Sequence, residues 1–542
     1  MTATTSAAPQ RSLRPTGRLG GRAALAAVGP ALFVALNGIA FVVLKPGVND
    51  LWAARARASA VQHGVGLTYW FGWFSGGSTP GNYSVLTPYL CAWIGTELVG
   101  ALAAVTAMVL ITVVVRDTRY PFAAGCAGVI AVLTNLWSGR IPYLLGSAVA
   151  VGALIALRHR NRAATVCLTL LSILASPVSG AFLVLGLSGT FLTTRTREYR
   201  PIIGYAVVTV GAAMLGVLAA FRAPGNQPFP LSLVLEVAGG LIFLWVAWPA
   251  DHVRTTLAVA LLALAALWLV PNGLGSNYTR FAFSCLPVLV VATSTVRRRY
   301  AVLGVLPVLI MGIVITSQDL VNATAPVSST SYYKSLSARL DKIPDLRDYR
   351  LEVVNHGAHA GDDALVNHAM LARGWETQAD DTLNKPLQQK TLDPVTYKVW
   401  LDNNAVGYVA LPTAPVAAYA EYRLVKDHRP SYLHVVWSDA DWQLFRVSDP
   451  TPIVARPGRV LAHDQKSMTI SVPCACTLAV RLRWSKFLVA NLQARAASGS
   501  KLVDAVPAVQ ATVSDDGTGW TTVRTPQPGT YVLRGTLRGI LR

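Results

Sequence analysis

The chain has 542 residues, 53% of them hydrophobic and only 14% charged, with a formal net charge of +20. Its mean hydropathy of +0.43 is far above that of a soluble globular protein, and the apolar residues concentrate in residues 23–317, which excludes a purely aqueous protein. Much of the positive charge flanks apolar segments, where lipid headgroups and topology account for it, so the charge does not point to nucleic acid as a partner.

Residues 1–22 read as a basic cytoplasmic tail carrying Arg11, Arg14, Arg18 and Arg22. The Ala-rich start resembles a signal peptide. The apolar run 23–44 is nevertheless long enough to span a bilayer, which takes about 20 residues, and further runs follow, so it is expected to be an uncleaved first helix. A long outer segment, 45–92, precedes a return helix over 93–115, and further crossings are expected over 121–137 and 141–157. The run 163–194 is flanked by arginine on both sides, so it must be a hairpin. Ser176-Pro177-Val178-Ser179-Gly180 supplies its bend, and its short arms are expected to stop below the outer surface and line a cavity. Crossings over 201–221, 231–248, 257–270, 281–296 and 301–316 bring the count to about eleven.

Arginine distribution orients these segments. Sixteen basic residues fall on one set of loops: the four in the tail, Arg116, Arg119, Arg158, Arg160, Arg162, Arg195, Arg197, Arg200, Arg254 and Arg297 to Arg299; about six fall on the other set. Positively charged short loops are retained in the cytoplasm, which places the N-terminus inside and everything after residue 318 outside the cell membrane. In the outer part, 318–450 reads as an α/β module, with helices over 331–340 and 362–373 and strands over 351–355, 407–411, 433–437 and 442–447. Residues 451–542 read as a β-sandwich with strands over 467–472, 477–483, 520–523 and 530–536. Cys91, Cys126, Cys167 and Cys285 lie in or beside apolar segments and are structural. Cys474 and Cys476 are different: a strand would place both thiols on one face at the upper limit of disulfide separation, which leaves their bridging open.

Two constellations carry chemistry. The first outer segment opens with Val48-Asn49-Asp50-Leu51-Trp52 and continues through an aromatic and glycine-rich stretch with Trp70, Trp73 and Tyr83. A carboxylate at the membrane surface can act as general base towards a hydroxyl, and aromatic rings between glycine turns make platforms for sugars. The plainer readings are a solvated helix-end acid and an interfacial aromatic belt. The second constellation is Arg140, Arg222 and Arg280, each alone at an outer helix end against the charge bias. Guanidinium groups there clamp a phosphate bidentately, or reach lipid phosphates by snorkelling. His63 is a further candidate for an acid or a substrate contact. Glu97 and Glu236 are ionisable groups at or near membrane depth. No Walker-type or dinucleotide-binding glycine fingerprint occurs, which argues against an ATP-driven pump within this chain.

An acidic residue after the first helix, a long first outer loop, a proline-bent helical pair and an outer C-terminal part together resemble the GT-C superfold of polytopic membrane glycosyltransferases. The stretches 371–378, 397–406 and 480–485 resemble uncharacterised actinobacterial integral membrane proteins of this layout. The GT-C resemblance implies transfer of a sugar from a polyprenyl-phosphate donor to a cell-envelope glycan acceptor, with Asp50 at the family's first-loop carboxylate position, where it deprotonates the acceptor hydroxyl. It further implies that Arg140 and Arg280 hold the lipid phosphate. Many such enzymes carry paired acids where Asn49 precedes Asp50 here, which leaves a divalent metal open. The competing expectations are a non-catalytic envelope scaffold and a secondary transporter.

Overall fold

The computed structural model describes residues 21–194, 196–221, 225–247, 251–294, 297–354, 359–414, 420–493 and 509–537. Its first half is helical: α1 (Gly21–Leu44), α2 (Asn49–Gln62), α3 (Pro80–Tyr83), α4 (Thr87–Ile94), α5 (Thr96–Val115), α6 (Pro121–Trp137), α7 (Ile141–Arg158), α8 (Arg162–Ala175), α9 (Pro177–Thr193), α10 (Arg200–Ala220), α11 (Leu231–Ala247), α12 (Asp251–Leu269), α13 (Leu286–Ala292) and α14 (Arg298–Asn322). Each expected apolar segment contains one of these helices. Among the described residues, four are long and apolar enough to cross a membrane: Thr96–Val115, Ile141–Arg158, Arg200–Ala220 and Leu303–Asn322. The pair Val28–Leu44 and Asn49–Gln62, bent by 67°, makes a fifth if it is one span. Five more apolar helices are shorter, from Pro121–Trp137 to Val253–Leu269. Length and composition therefore do not establish eleven crossings. Val43, Val208, Leu215, Leu235, Leu262 and Leu269 expose their side chains on these helices, as lipid-facing residues do.

The expected bend at 176–180 is a break at a single residue. Ser176 adopts an extended conformation, its hydroxyl accepts from the Ser179 amide, and Pro177 opens α9 where a missing N–H costs nothing. The C-terminal carbonyls of α8 would be left without partners there. The first outer segment supplies them: Val85 and Leu86 N–H donate to Leu174 O, and Ser84 and Thr87 hydroxyls donate to Ala175 O. At the far end of the bundle three basic loops meet, through Arg158 with Asp117 at 2.5 Å and Arg160 with Glu198 at 2.8 Å.

The second half carries two sheets. β1 (Arg350–Val353), β2 (Val406–Pro412), β3 (Leu433–Ser438) and β4 (Trp442–Val447) form a mixed sheet in the order β1-β2-β4-β3, with only the β1–β2 pair parallel. β5 (Arg459–His463), β6 (Ser467–Val472), β7 (Thr477–Arg483), β8 (Leu488–Leu492), β9 (Gln510–Asp515), β10 (Trp520–Arg524) and β11 (Gly529–Gly535) form one antiparallel sheet in the order β5-β6-β11-β8-β9-β10-β7. Alternate residues of both its ends, such as Ile470, Leu533, Val480 and Val523, enter a shared core, so the sheet is rolled on itself. The chain bends between β6 and β7, which brings the Cα atoms of Cys474 and Cys476 to 5.4 Å, and the two are joined by a disulfide.

The expected helix over 362–373 does not form. Helix is confined to Ala360–Ala364, after which Leu371 N–H donates to Gly72 O and Ala372 N–H donates to Leu351 O. Pairing with the first outer segment and with β1 takes up the backbone that a helix would need.

Candidate active site

The segment expected as a loop after the first helix is α2, and Asp50 sits in its first turn, where a negative charge is favoured by the helix dipole. Between α1 and α2, a Cβ on Gly47 would lie 2.5 Å from Ser328 O, so only glycine fits the tight corner, and Trp52 Nε1 closes it by donating to Gly47 O. The α6–α7 turn then approaches α2. Gly139 has φ +74°, and a Cβ there would sit 2.6 Å from the Leu51 amide nitrogen. A side chain at Gly139 would hold Arg140 away from Asp50.

With that approach open, Arg140 Nε lies 3.5 Å and Arg280 Nη2 3.3 Å from Asp50 Oδ2. Arg280 is set at the start of a π-helical turn, Phe281–Cys285, a local widening common at functional sites, and lies over the Tyr143 ring at 5.8 Å. α14 contributes a fourth charge. Thr316 docks on the end of α6 through Thr134 O and Ser138, and Asp319, one turn further on, faces Arg140 Nη2 at 4.0 Å. The four side chains are neither sealed nor free, with exposures of 27% for Asp50, 17% for Arg140, 21% for Arg280 and 33% for Asp319. Burial, then the Arg280 charge, lowers the proton affinity of Arg140, and Asp50 and Asp319 oppose both. Its buried Nε faces Asp50 Oδ2 at 3.5 Å without closing to a hydrogen bond, so the pair is held loosely.

Beside this cluster, Arg57 lies two turns along α2 from Asp50 and is 2% exposed. Tyr83 stacks on it with the guanidinium 3.9 Å from the ring centre. Burial pushes the Tyr83 phenol up to about 12, with Arg57, Asp50, Arg280 and Glu376 all within electrostatic reach. Glu376, from the outer α/β part, accepts from Ser78 at 2.9 Å, Asn82 at 3.2 Å and Gln378 at 3.0 Å and pairs with Arg57 at 3.5 Å.

The other expected site residues are placed differently. Trp70 and Trp73 are fully buried, 4.3 Å apart, and donate to Gln465 Oε1 and Asp362 O. They are core residues that hold the first outer segment to the outer part and offer no open platform to a sugar. His63 ends α2 opposite Asp50, about 20 Å along the axis, with its Nδ1 against Ser59 O. It is exposed and stands outside the cluster. Glu97 pairs with Arg55 at 2.8 Å, and Glu236 is exposed on α11. Arg222 lies outside the described residues.

Asp319, Arg57 and Glu376 were not singled out in the sequence. The spacing of seven between Asp50 and Arg57 places both on one helical face, and this marks Arg57 once α2 is known to be a helix. A divalent cation does not fit the donor set. Among the described residues no group of three or more His, Cys, Asp or Glu side chains is arranged to hold a metal ion, and the Asp50 oxygen already faces two guanidinium groups.

No known protein family matches the chain, and no curated protein does. Among solved structures it is similar to arabinofuranosyltransferase AftD from Mycobacteria, at 14% identity over 85% of this chain and 42% of that one, with a TM-score of 0.42. A mutant of AftD matches over 96% of this chain and 60% of its own length, at 14% identity and a TM-score of 0.44. ArnT from Cupriavidus metallidurans bound to undecaprenyl phosphate matches over 78% of this chain and 97% of its own length, at 13% identity and a TM-score of 0.37. The chain thus spans about half the length of the AftD chains it matches. Likeness at this level fixes neither fold nor reaction.

Proposed function

We propose that the chain is a membrane glycosyltransferase of GT-C type that moves a sugar from a polyprenyl-phosphate donor to a cell-envelope glycan on the outer face. In this reading eleven segments cross the membrane, the N-terminus is cytoplasmic, and residues after 318 form the outer α/β module (to 450) and the β-sheet module beyond it. The observation that supports it is the convergence of Asp50, Arg140 and Arg280 at one end of the bundle, where α2, the α6–α7 turn and the loop before α13 meet. One carboxylate between two guanidinium groups supplies a base for a hydroxyl and positive charge for a departing phosphate.

Arg140 and Arg280 would bind the phosphate oxygens in place of Asp50. The phosphate competes with Asp50 for the two arginines and so releases the carboxylate to accept a proton. The acceptor hydroxyl oxygen then bonds to the anomeric carbon, its proton passes to Asp50, and the bond from that carbon to the phosphate oxygen breaks. The departing polyprenyl phosphate carries the electron pair, stabilised by the two guanidinium charges in a partly dehydrated site. Asp319 keeps Arg140 oriented throughout.

The test uses membranes containing the full chain and a radiolabelled polyprenyl-phosphate sugar. Asp50→Asn is expected to lower transfer by about 10²–10⁴ while donor binding persists. Unchanged transfer overturns the proposal.

A further inference from the structure

Both arginines of the candidate site are anchored on the last turn of α6, and one residue there reaches each of them. α6 ends in a Schellman motif: Gly139, at φ +74°, donates its N–H to Leu136 O at 2.9 Å, and Arg140 N–H donates to Asn135 O at 3.0 Å. The backbone of Arg140 is thereby fixed relative to Asn135. The Asn135 side chain makes the second link. Its Nδ2 donates to Ser284 Oγ at 2.8 Å, inside the π-helical turn Phe281–Cys285. Ser284 stands four residues beyond Arg280, about one turn further along the same face.

Asn135 is 3% exposed and is the only carboxamide on α6. Its Nδ2 also donates to Ala131 O at 2.7 Å, which fixes the orientation of the amide, because the flipped group would set two oxygens against each other. In that orientation the buried Oδ1 has no hydrogen-bond partner. An apolar side chain of similar size would join the two helices without stranding an acceptor, so packing alone does not account for Asn135. What an apolar residue cannot supply is one directional bond that fixes the Arg280 turn against the end of α6.

We propose that Asn135 is a positioning residue for a lipid phosphate. Through its backbone bond to Arg140 and its side-chain bond to Ser284, it sets the gap between the two guanidinium groups that take the phosphate oxygens. That the phosphate belongs to a sugar donor rests on the glycosyltransferase reading. Asn135 and Ser284 act through the arginines: without their bond the Arg280 turn drifts, and two planar forks no longer meet one phosphate.

The full chain in nanodiscs is titrated with radiolabelled polyprenyl phosphate that carries no sugar. Asn135→Leu and Ser284→Ala should each weaken binding about fivefold to tenfold, whereas Ser284→Thr, which keeps the hydroxyl, should bind as the native chain does. The double substitution should lose no more than either single one. In the Arg280→Lys background the fork is already gone, so Asn135→Leu should cost less than about twofold more. A residue that only staples two helices would weaken binding equally in both backgrounds.

The inference is overturned if the native chain binds polyprenyl phosphate and both Asn135→Leu and Ser284→Ala bind it as well, or if the loss is the same in the Arg280→Lys background. Failure of the transferase reading alone looks different: phosphate binding depends on Asn135 as described, but membranes transfer no sugar. A native chain that binds no polyprenyl phosphate ends both.

Discussion

The protein contains two clusters built from arginine and carboxylate that differ in geometry, burial and charge balance. In the outer α/β module Arg373 holds Asp380 with two short contacts, 2.9 and 2.6 Å, and also reaches Glu421 at 3.2 Å and Glu352 at 3.5 Å. Glu352 and Glu421 are essentially sealed, at 0% and 2% exposure, and Tyr397, Asn384 and Gln388 complete the network. At the membrane end, Asp50, Arg140, Arg280 and Asp319 stand 3.3 to 4.0 Å apart, remain partly open, and leave the Arg140 Nε short of a full hydrogen bond. Short, closed and oversupplied with acid describes a cluster that is structural. Loose, open and charge-balanced describes one that can exchange its internal partners for those of a ligand.

The largest difference between the two should appear on substitution of their central members. Asp50→Asn is expected to cost the transfer reaction its two to four decades with no change in melting temperature. Arg373→Met, which strands three acids in the interior, is expected to destabilise the fold by about 3–5 kcal/mol, read as a fall in the thermal midpoint of the solubilised protein. If Asp50→Asn also lowers the midpoint by several degrees, the distinction between the clusters is lost.

Arg280→Lys keeps a positive charge but not the planar fork, and should raise the KM for the lipid-linked donor about tenfold to a hundredfold while stability holds. An unaltered KM would remove Arg280 from the binding role. A smaller effect is expected from pH. Burial, then the adjacent Glu421 carboxylate, raises Glu352 well above its usual value of 4.5, with Arg373 opposing. A raised acid binds its proton more tightly in the folded state, so its contribution is complete below the ordinary value and is lost as pH rises through the folded one. The melting temperature should therefore decline towards alkaline pH, and Glu352→Gln should flatten that decline; parallel curves for the two proteins would contradict it. Smallest of all, His63→Ala should change stability by no more than about 0.5 kcal/mol and leave transfer unaltered, which a melt and a membrane assay check together.

What was legible in the sequence was what is local. Apolar runs of helical length mark α5 to α14, because lipid-facing segments differ in composition from everything else. Alternation marks β4, β6 and β7 to the residue. The α2 helix was not visible, since its Ala-Arg-rich stretch has no apolar stripe and resembles a loop in polarity. Trp70 and Trp73 are core residues for which the sequence offers no sign, because interfacial aromatics and aromatics buried at a junction look alike in composition. The placement of Asp50 and the stray arginines was suggested by topology alone, while Arg57 and Glu376, 319 positions apart, carry no local trace of their contact. Their meeting is a property of the tertiary fold.

The anchoring of the tryptophan-rich outer segment has a practical consequence for dissecting the protein. Trp70 and Trp73 complete their hydrogen bonding only through Gln465 and Asp362, deep in the second half of the sequence. Cutting the chain after α14 would leave two wet indoles and an unmatched Arg57 where a dry seam had been. The membrane half made alone should be sticky and misassembled, so any loss of turnover in such a fragment would report damage to the seam before it reported the absence of a binding module.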